Sequence, residues 1–484
     1  MTSDDRIPTQ ASCADDFDTD TLSAEQAEHR IAALIRPVDG CEKVAVRSAL
    51  NRTLAEDVFS TVNVPAHTNS AMDGYAVRSS DLPSDDSTTT LTVIGTAWAG
   101  RPYHGCAQDK QCVRIMTGAK MPEGTDTVIM QEQVECADNM IRVGAGHRPG
   151  QNVRQAGEDL AIGEVAVRAG KKLSPAELGL FASLGIAEIK LARRLRVAFF
   201  STGDELRSIG EPLAEGEIYD SNRYTLHGML ARLNVDSLDM GVIADTREAI
   251  SASFQHAASM ADVVITTGGV SVGEADFIRE ILAETGTVDF WKLAIKPGRP
   301  LAFGTVNDTL FFGLPGNPVA VMVTFYEFVQ PALRRMMGQS ELRPARFKVP
   351  CQSRLRKRPG RMEFQRGCLK VADDGSLSVS RTGAQGSGML SSMSTANCFI
   401  VLPTASGNVE PGDEVYVEPF EGLVYKTLVR DFSPQRTRRS QRNNMLNNDR
   451  KKSLRHRLLT EYTADKRGNL LPPEILRDLG ALCG

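Results

Sequence analysis

No stretch of the 484-residue chain comes near the roughly 18 uninterrupted apolar residues that a membrane-spanning helix needs. Its nine cysteines are odd in number and form no Cys-x-x-Cys pair, which argues against an oxidised framework and for a reducing compartment. The seven histidines show no zinc-ligand spacing. There is no Gly-x-x-x-x-Gly-Lys-Ser/Thr loop, and no Gly-x-Gly-x-x-Gly fingerprint follows a strand pattern, so P-loop and dinucleotide chemistry lack their minimal parts. Charge of one sign is also missing: 56 Lys and Arg against 60 Asp and Glu give a net −4, which offers no global attraction to nucleic acid or to an acidic membrane. The opening MTSDDRIPTQ is acidic and has no apolar signal-like run, which predicts a cytoplasmic protein. Aromatics are only 6%, but hydrophobic residues reach 41%, enough for more than one core. At roughly 150 residues per domain, about three globular units are expected.

Residues 1–20 hold six Asp and few large apolar groups, which predicts a disordered acidic lead over 1–21. Ser23 and Gln26 have the capping-box spacing, and Ala27, Ile31, Leu34 and Ile35 are expected on one helical face, with the helix ending near Pro37. Residues 61–158 alternate short apolar runs with turn clusters, which predicts a β-rich insert. In KKLSPAELGLFASLG, Ser174 reads as an N-cap, Pro175 occupies the first turn, Glu177 completes a capping box and Gly185 stops the helix.

From residue 191 to 340 the apolar strands LRVAFF, ADVVITT and TLFFGLP are nearly continuous. Both faces of such strands must be covered, so a mainly parallel sheet with helices on each side is expected, its ligands beyond the strands' C-terminal ends. Residues 341–420 return to period two, with an Asp374-Gly375 turn, as in a small β domain. Residues 426–457 carry eleven Lys or Arg against Asp431 and Asp449, within a basic extension over 421–484.

Four turns following or flanking these strands carry candidate chemistry. VAFFSTGDEL places Asp204 and Glu205 after Gly203; a helix-capping role explains them as well as a functional one. In TTGGVSVGEADF, Gly268 and Gly269 let backbone approach a ligand, and Glu274 and Asp276 fall at a helix start, where carboxylates also simply complement the dipole. KLAIKPGRPLAFG sets Lys296 and Arg299 about a Pro-Gly turn, suited to an oxyanion or to plain solvation. GLPGNPV restrains a loop between Pro315 and Pro318. Gly269-Val270-Ser271-Val272-Gly273 also satisfies the nucleophile-elbow pattern, but the only histidine after Ser271 is His456 in the basic extension, which leaves a serine hydrolase without its base.

NSAMDGYAV, RIMTGAKMPEGTDTVIMQE, RQAGEDL, STGDEL, TTGGVSVGEADF, WKLAIKPGRPLAFG and GLPGNPV, in this order, resemble the molybdopterin molybdenumtransferase family, which includes the E domain of gephyrin. The resemblance covers about residues 22–420. It implies a multidomain α/β and β fold: a discontinuous linking domain (22–60 with 159–190), the β-rich inserted domain (61–158), a central αβα molybdopterin-binding-like domain with a mostly parallel sheet (191–340) and a C-terminal β-barrel-like domain (341–420). It further implies a homodimer whose cleft joins the αβα domain of one protomer to the insert of the other. The implied reaction inserts molybdate into adenylylated molybdopterin, releasing AMP, with Mg²⁺ involved; no protein nucleophile is needed.

By the same resemblance, Asp73, Thr117 and Asp159 are functional polar positions of the insert and its border, and Asp204, Glu205, Asp245 and Asp276 form an acidic set. Of these, Glu205, Asp276 and Asp204 are the implied Mg²⁺ ligands. Gly268, Gly269, Ser271, Lys296, Arg299, Pro315, Pro318 and Ser387 are the implied substrate-binding residues. Read without the resemblance, Asp73 is an Asp-Gly turn and Thr117 a strand-end hydroxyl. Two departures matter. Arg299 stands where many members have Lys, which keeps charge but changes donor geometry, and the basic extension is not covered. The extension is either a solvated appendage or an arm for an acidic protein partner through residues 426–457; neither nucleic acid nor membrane is expected as a partner. A non-catalytic molybdopterin-binding scaffold and a molybdopterin adenylyltransferase remain as alternatives.

Overall fold

The computed structural model describes residues 21–268 and 276–420, the side chains of Asp276 and Phe277 excepted. The acidic lead, Gly269, Ser271 and the basic extension lie outside the described residues.

Helix α1 (Ala24–Leu34) forms where the sequence places it, because Ser23 Oγ accepts from the Gln26 N–H and the Gln26 side chain returns to the Ser23 N–H. Ala27, Ile31 and Ile35 are buried as expected. Leu34 is not: it is 56% exposed, because the helix ends at Leu34 and extended backbone at Ile35 returns the next apolar side chain to the core. Strand β1 (Cys41–Ala45) follows. The six-stranded insert sheet contains β2 (Gly74–Val77), β3 (Thr89–Ala97), β4 (Gln111–Ile115), β5 (Thr127–Met130), β6 (Val134–Ala137) and β7 (Met140–Val143), in the order β5-β2-β4-β3-β7-β6. Helix α2 (Pro175–Ser183) has the expected Ser174–Glu177 capping box, and β8 (Glu188–Ala192) then pairs antiparallel with β1 across the insert.

Next come β9 (Arg196–Thr202), α3 (Ser221–Arg232), β10 (Asp236–Ile243), α4 (Arg247–Met260), β11 (Val263–Thr267), α5 (Asp276–Thr285), β12 (Gly286–Lys292), the short β13 (Ile295–Lys296), β14 (Pro300–Val306) and β15 (Thr309–Leu314). The central sheet runs β10-β9-β11-β15-β14-β12. The first four strands are parallel, while β14 and β12 form an antiparallel edge, since the short β14–β15 connection is a hairpin and allows no crossover. Period two sorts its apolar residues: Val197 and Phe199 join Leu226 and Leu230 of α3 in one core, whereas Ala198 and Phe200 join Ile250 and Phe254 of α4 and Ile281 of α5 in another. The chain leaves β9 for β10 on one side and then returns to β11 on the other. That reversal opens a crevice at the C-terminal ends of β9 and β11.

Helix α6 (Pro318–Thr324) passes through a π-turn, Phe325–Val329, into α7 (Gln330–Met336). The last domain holds β16 (Phe347–Pro350), β17 (Met362–Val371), β18 (Leu377–Arg381), α8 (Leu390–Thr395), β19 (Cys398–Leu402) and β20 (Glu414–Pro419). Its sheet order is β13-β17-β19-β20-β16 with β18 also on β17, so β13 is lent to it by the αβα segment. Gly375, at φ +84°, makes the expected turn between β17 and β18. No helix among the described residues is long and apolar enough to cross a membrane, and the seven described cysteines are free.

Candidate active site

At the crevice, β9 and β11 are tied by Ser201 Oγ and Thr267 Oγ1 at 2.8 Å, and the Gly268 N–H donates to Leu314 O of β15 at 3.3 Å. Gly268 has φ +87°, and a Cβ there would sit 2.5 Å from Thr202 O. Glycine is therefore required, by backbone conformation and by close approach of the two strand ends. Gly203 meets the same demand: a Cβ on it would lie 2.6 Å from Glu205 Oε2, so its bareness lets the Glu205 carboxylate fold back over the end of β9. Asp204 and Glu205 are both exposed. Asp245 is exposed in the turn after β10, just before Thr246 caps α4. Asp276 opens α5, as the sequence predicts. Thus Asp204, Glu205 and Asp245 stand at one edge of the sheet. No group of three or more His, Cys, Asp or Glu suited to a metal converges among the described residues. Thr202 Oγ1 is buried there without a hydrogen-bond partner among the described residues, an unmet polar group beside the crevice.

Lys296 ends β13, and its Nζ lies 3.6 Å from Glu363 Oε1 of β17. Arg299 is half-buried, its carbonyl accepting from the Leu293 N–H at 2.7 Å. Pro315 is buried at the end of β15, and Pro318 begins α6 with the fixed φ that suits a first helical residue. The loop between them is gripped from two directions. Asn222 Nδ2 of α3 donates to Gly316 O at 2.7 Å, and the Val319 N–H donates to Ser387 O at 3.0 Å. Ser387 therefore reaches this loop from the last domain through its main chain.

The loop bearing Ser387 is itself held by Arg366 of β17, 1% exposed, whose guanidinium donates to Gly386 O at 2.9 Å, Ala384 O at 3.4 Å and Ser392 Oγ at 3.0 Å. Burial draws its pKa down to about 10, so it remains a cation at neutral pH. Sequence reasoning passed over Arg366, Asn222 and Glu363. MEFQRG alternates polar and apolar residues, but nothing in that run separates a buried Arg or Glu from a solvated one. The tyrosine-aspartate-serine-asparagine run that opens α3 does carry an N-cap signal, and Asp220 caps α3 through the Arg223 N–H.

On the insert, Asp73 and Thr117 come together although 44 residues apart: Asp73 Oδ1 accepts from both the N–H and the hydroxyl of Thr117, each at 2.7 Å. These bonds, the main-chain one foremost, hold the Asp73 carboxyl below the usual carboxylate range, and its surface remains open to solvent. Asp159 is exposed where the chain leaves the insert, its N–H donating to Val64 O at 3.0 Å. The insert pair and the acids of the central sheet belong to separate sheets.

Residues 22–185 match the family described as MoeA N-terminal region (domain I and II), residues 198–335 the probable molybdopterin binding domain, and residues 348–420 the MoeA C-terminal region (domain IV). A molybdopterin molybdenumtransferase of Haemophilus influenzae is 45% identical over 405 residues, spanning 83% of this chain and 100% of that protein. Gephyrin of Dictyostelium discoideum is 34% identical over 425 residues, spanning 77% of this chain and 58% of that protein. The crystal structure of a molybdopterin biosynthesis moeA protein from Pyrococcus horikoshii superposes with a TM-score of 0.72 at 29% identity, covering 83% of this chain and 100% of the other. With the sheet reversal, the glycine-lined strand ends and the doubly gripped proline loop in place, the chain belongs to the molybdopterin molybdenumtransferase family.

Proposed function

We propose that the chain is a molybdopterin molybdenumtransferase, inserting molybdate into adenylylated molybdopterin with release of AMP to give molybdenum cofactor. The observation that carries the reading is the full-length likeness to the Haemophilus influenzae molybdopterin molybdenumtransferase, laid over a crevice rimmed by acids and flanked by a cationic turn. Lys296 and Arg299 hold oxyanion, Lys as a point charge and Arg as a fork. Gly268, with Gly269 and Ser271 after it, lets main chain approach the pterin phosphate, while Pro315, Pro318 and Ser387 keep the pocket wall stiff. Asp73, fixed by Thr117, Asp159, Glu205, Asp245 and Asp276 complete the polar catalytic set.

The donor chemistry also suits Mg²⁺. Asp204 and Glu205 are exposed and would serve as hard-oxygen ligands, and Asp276 opens α5. An ion held by so few carboxylates takes its remaining ligands from phosphate and water, the usual habit of Mg²⁺. When bound, the ion polarises the phosphoanhydride and offsets its charge against these carboxylates.

The family resemblance implies a working cleft between two protomers of a homodimer, the insert of one facing the αβα domain of the other, and the separate sheets of the Asp73–Thr117 pair and the acidic rim are compatible with it. The proposed domain division is 22–60 with 159–190, 61–158, 191–340 and 341–420. The free thiols fit a cytoplasmic setting. Residues 426–457 are first a solvated basic appendage and, as the second reading, an arm for an acidic protein partner; unchanged partner binding after deletion of residues 426–484 sinks the second.

The test mixes purified protein with adenylylated molybdopterin, Mg²⁺ and molybdate, following AMP by chromatography and protein-bound pterin by mass spectrometry. Molybdate-dependent AMP release with molybdenum in the pterin is expected. Tight pterin binding without turnover overturns the transferase reading in favour of a scaffold.

A further inference from the structure

We propose that Glu363 is a positioning residue for the oxyanion-holding Lys296, acting from the C-terminal domain through an ion pair, with a second, buried lysine, Lys357, in the same cluster of charges. This rests on the assignment of Lys296 above and adds to it a residue from another domain.

The geometry begins with the backbone. The αβα segment lends β13 to the last sheet, and in that parallel pairing Lys296 is in register with Glu363. Glu363 is 6% exposed. Its Oε1 faces the Lys296 ammonium at 3.6 Å, and its Oε2 accepts from Gln365 Nε2 at 3.1 Å. Gln365 Nε2 also donates to Arg356 O at 3.3 Å, so the carboxylate is oriented from below by a side chain that is itself anchored. On the other strand edge, Glu363 pairs with Leu402 of β19. The carboxylate thus has little freedom, and the ammonium it faces is the mobile partner, with its side chain 55% exposed.

Lys357 gives the arrangement its sense. It is 4% exposed, and its Nζ donates to Arg361 O at 2.8 Å, Arg358 O at 3.1 Å and Thr404 O at 3.5 Å. Three carbonyls fix that charge in place. Lys357 is attracted by Glu363 and repelled by Lys296, and its pKa is lowered, mainly by burial. Lys296, Glu363 and Lys357 thus form one cluster of charges, two cations to one anion. Without the carboxylate the repulsion between the two ammoniums is uncompensated, and the one with freedom to move is Lys296, whose side chain is 55% exposed and whose departure displaces the charge that meets molybdate. With it in place, Lys296 keeps one direction and the cluster keeps a net positive charge for an oxyanion. The salt bridge also makes the oxyanion group conditional on docking of the C-terminal domain, because Glu363, Gln365 and Lys357 all belong to that domain.

The test is a double-variant cycle on the full chain: Glu363→Gln, Lys296→Met and both together, assayed for AMP release against molybdate and, separately, against adenylylated molybdopterin. Glu363→Gln is expected to raise the apparent KM for molybdate about threefold to tenfold and to leave that for adenylylated molybdopterin within about twofold, with the double variant no worse than Lys296→Met alone. If the two single effects instead multiply in the double variant, Glu363 does not act through Lys296 and the proposal is overturned, while Lys296 keeps its place in the site. If Lys296→Met leaves the molybdate dependence unchanged, the assignment of Lys296 fails first. Where Glu363→Gln does not fold, Glu363→Asp, which draws the carboxylate away from Nζ and preserves its charge, is expected to raise the molybdate KM only when Lys296 is present; a rise in both backgrounds refutes the positioning role.

Discussion

Replacing Glu327 with Gln is expected to make the protein more stable at mildly alkaline pH and to change little in mild acid. Glu327 sits in the π-turn between α6 and α7, 2% exposed. Its Oε2 accepts from Arg343 Nη1 at 3.1 Å and Arg346 Nη2 at 2.7 Å, and its Oε1 is buried without a hydrogen-bond partner among the described residues. Arg343 also binds Glu28 of α1, and Arg346 binds Glu418 of β20, so three domains meet at one carboxyl. Burial, and then the neighbouring Glu418, push the Glu327 carboxyl up to about 7, with the two arginines opposing.

A raised folded-state pKa means that the folded protein holds the proton after the unfolded chain has lost it. The associated stability is full below the ordinary glutamate value of 4.5 and is lost as pH rises through about 7. For a carboxyl with almost no solvent to screen it, that shift is worth on the order of 3 kcal/mol. The Gln variant keeps the shape of the protonated group and cannot ionise. Thermal unfolding of both proteins from about pH 5 to about pH 8 should therefore show curves that coincide in acid and separate with rising pH, the variant ending roughly 3–4 °C higher if a unit of this size unfolds cooperatively. Parallel curves, or a variant less stable throughout, refute the reasoning and mean that Arg343 and Arg346 outweigh burial and keep Glu327 ionised.

Two further outcomes test the site. Gly268→Ala puts a methyl 2.5 Å from Thr202 O at positive φ, and should cost about 1–3 kcal/mol in thermal unfolding while weakening pterin binding; a silent substitution there shows that the ends of β9 and β11 are not held as closely as described. Asp73→Asn should lower AMP release at least about tenfold with little change in unfolding, since the residue is exposed and its anionic oxygen receives both Thr117 bonds; retained activity at neutral pH removes Asp73 from the site.

Much of this fold is written locally. The Ser23–Gln26 and Ser174–Glu177 capping boxes span three residues each, and both form as the sequence predicts. The runs ending at Thr202, Thr267 and Leu314 become three adjacent parallel strands, because apolar side chains alternating to two faces must be covered on both. The strand-end motifs put Asp204 and Glu205 just after β9 and Asp276 at the start of α5, as the structure does, since a loop's position follows from the strand that delivers it; Asp245 was legible only through the family resemblance.

What only tertiary structure decided is which polar groups lose water and to whom they turn. Leu34 looked like a core residue and is exposed because its helix stops there. Glu363, Arg366 and Glu327 drew no reading from the sequence and are buried, held by Lys296 and Gln365, by the Gly386 main chain and Ser392, and by Arg343 and Arg346 respectively. The Asp73–Thr117 pair is separated by 44 residues and the Asn222–Gly316 contact by 94. Capping and alternation act within a few residues and so leave a pattern in the sequence. Desolvation of a charge depends on the surface that later packs over it, and its sign and size are set only when that surface arrives.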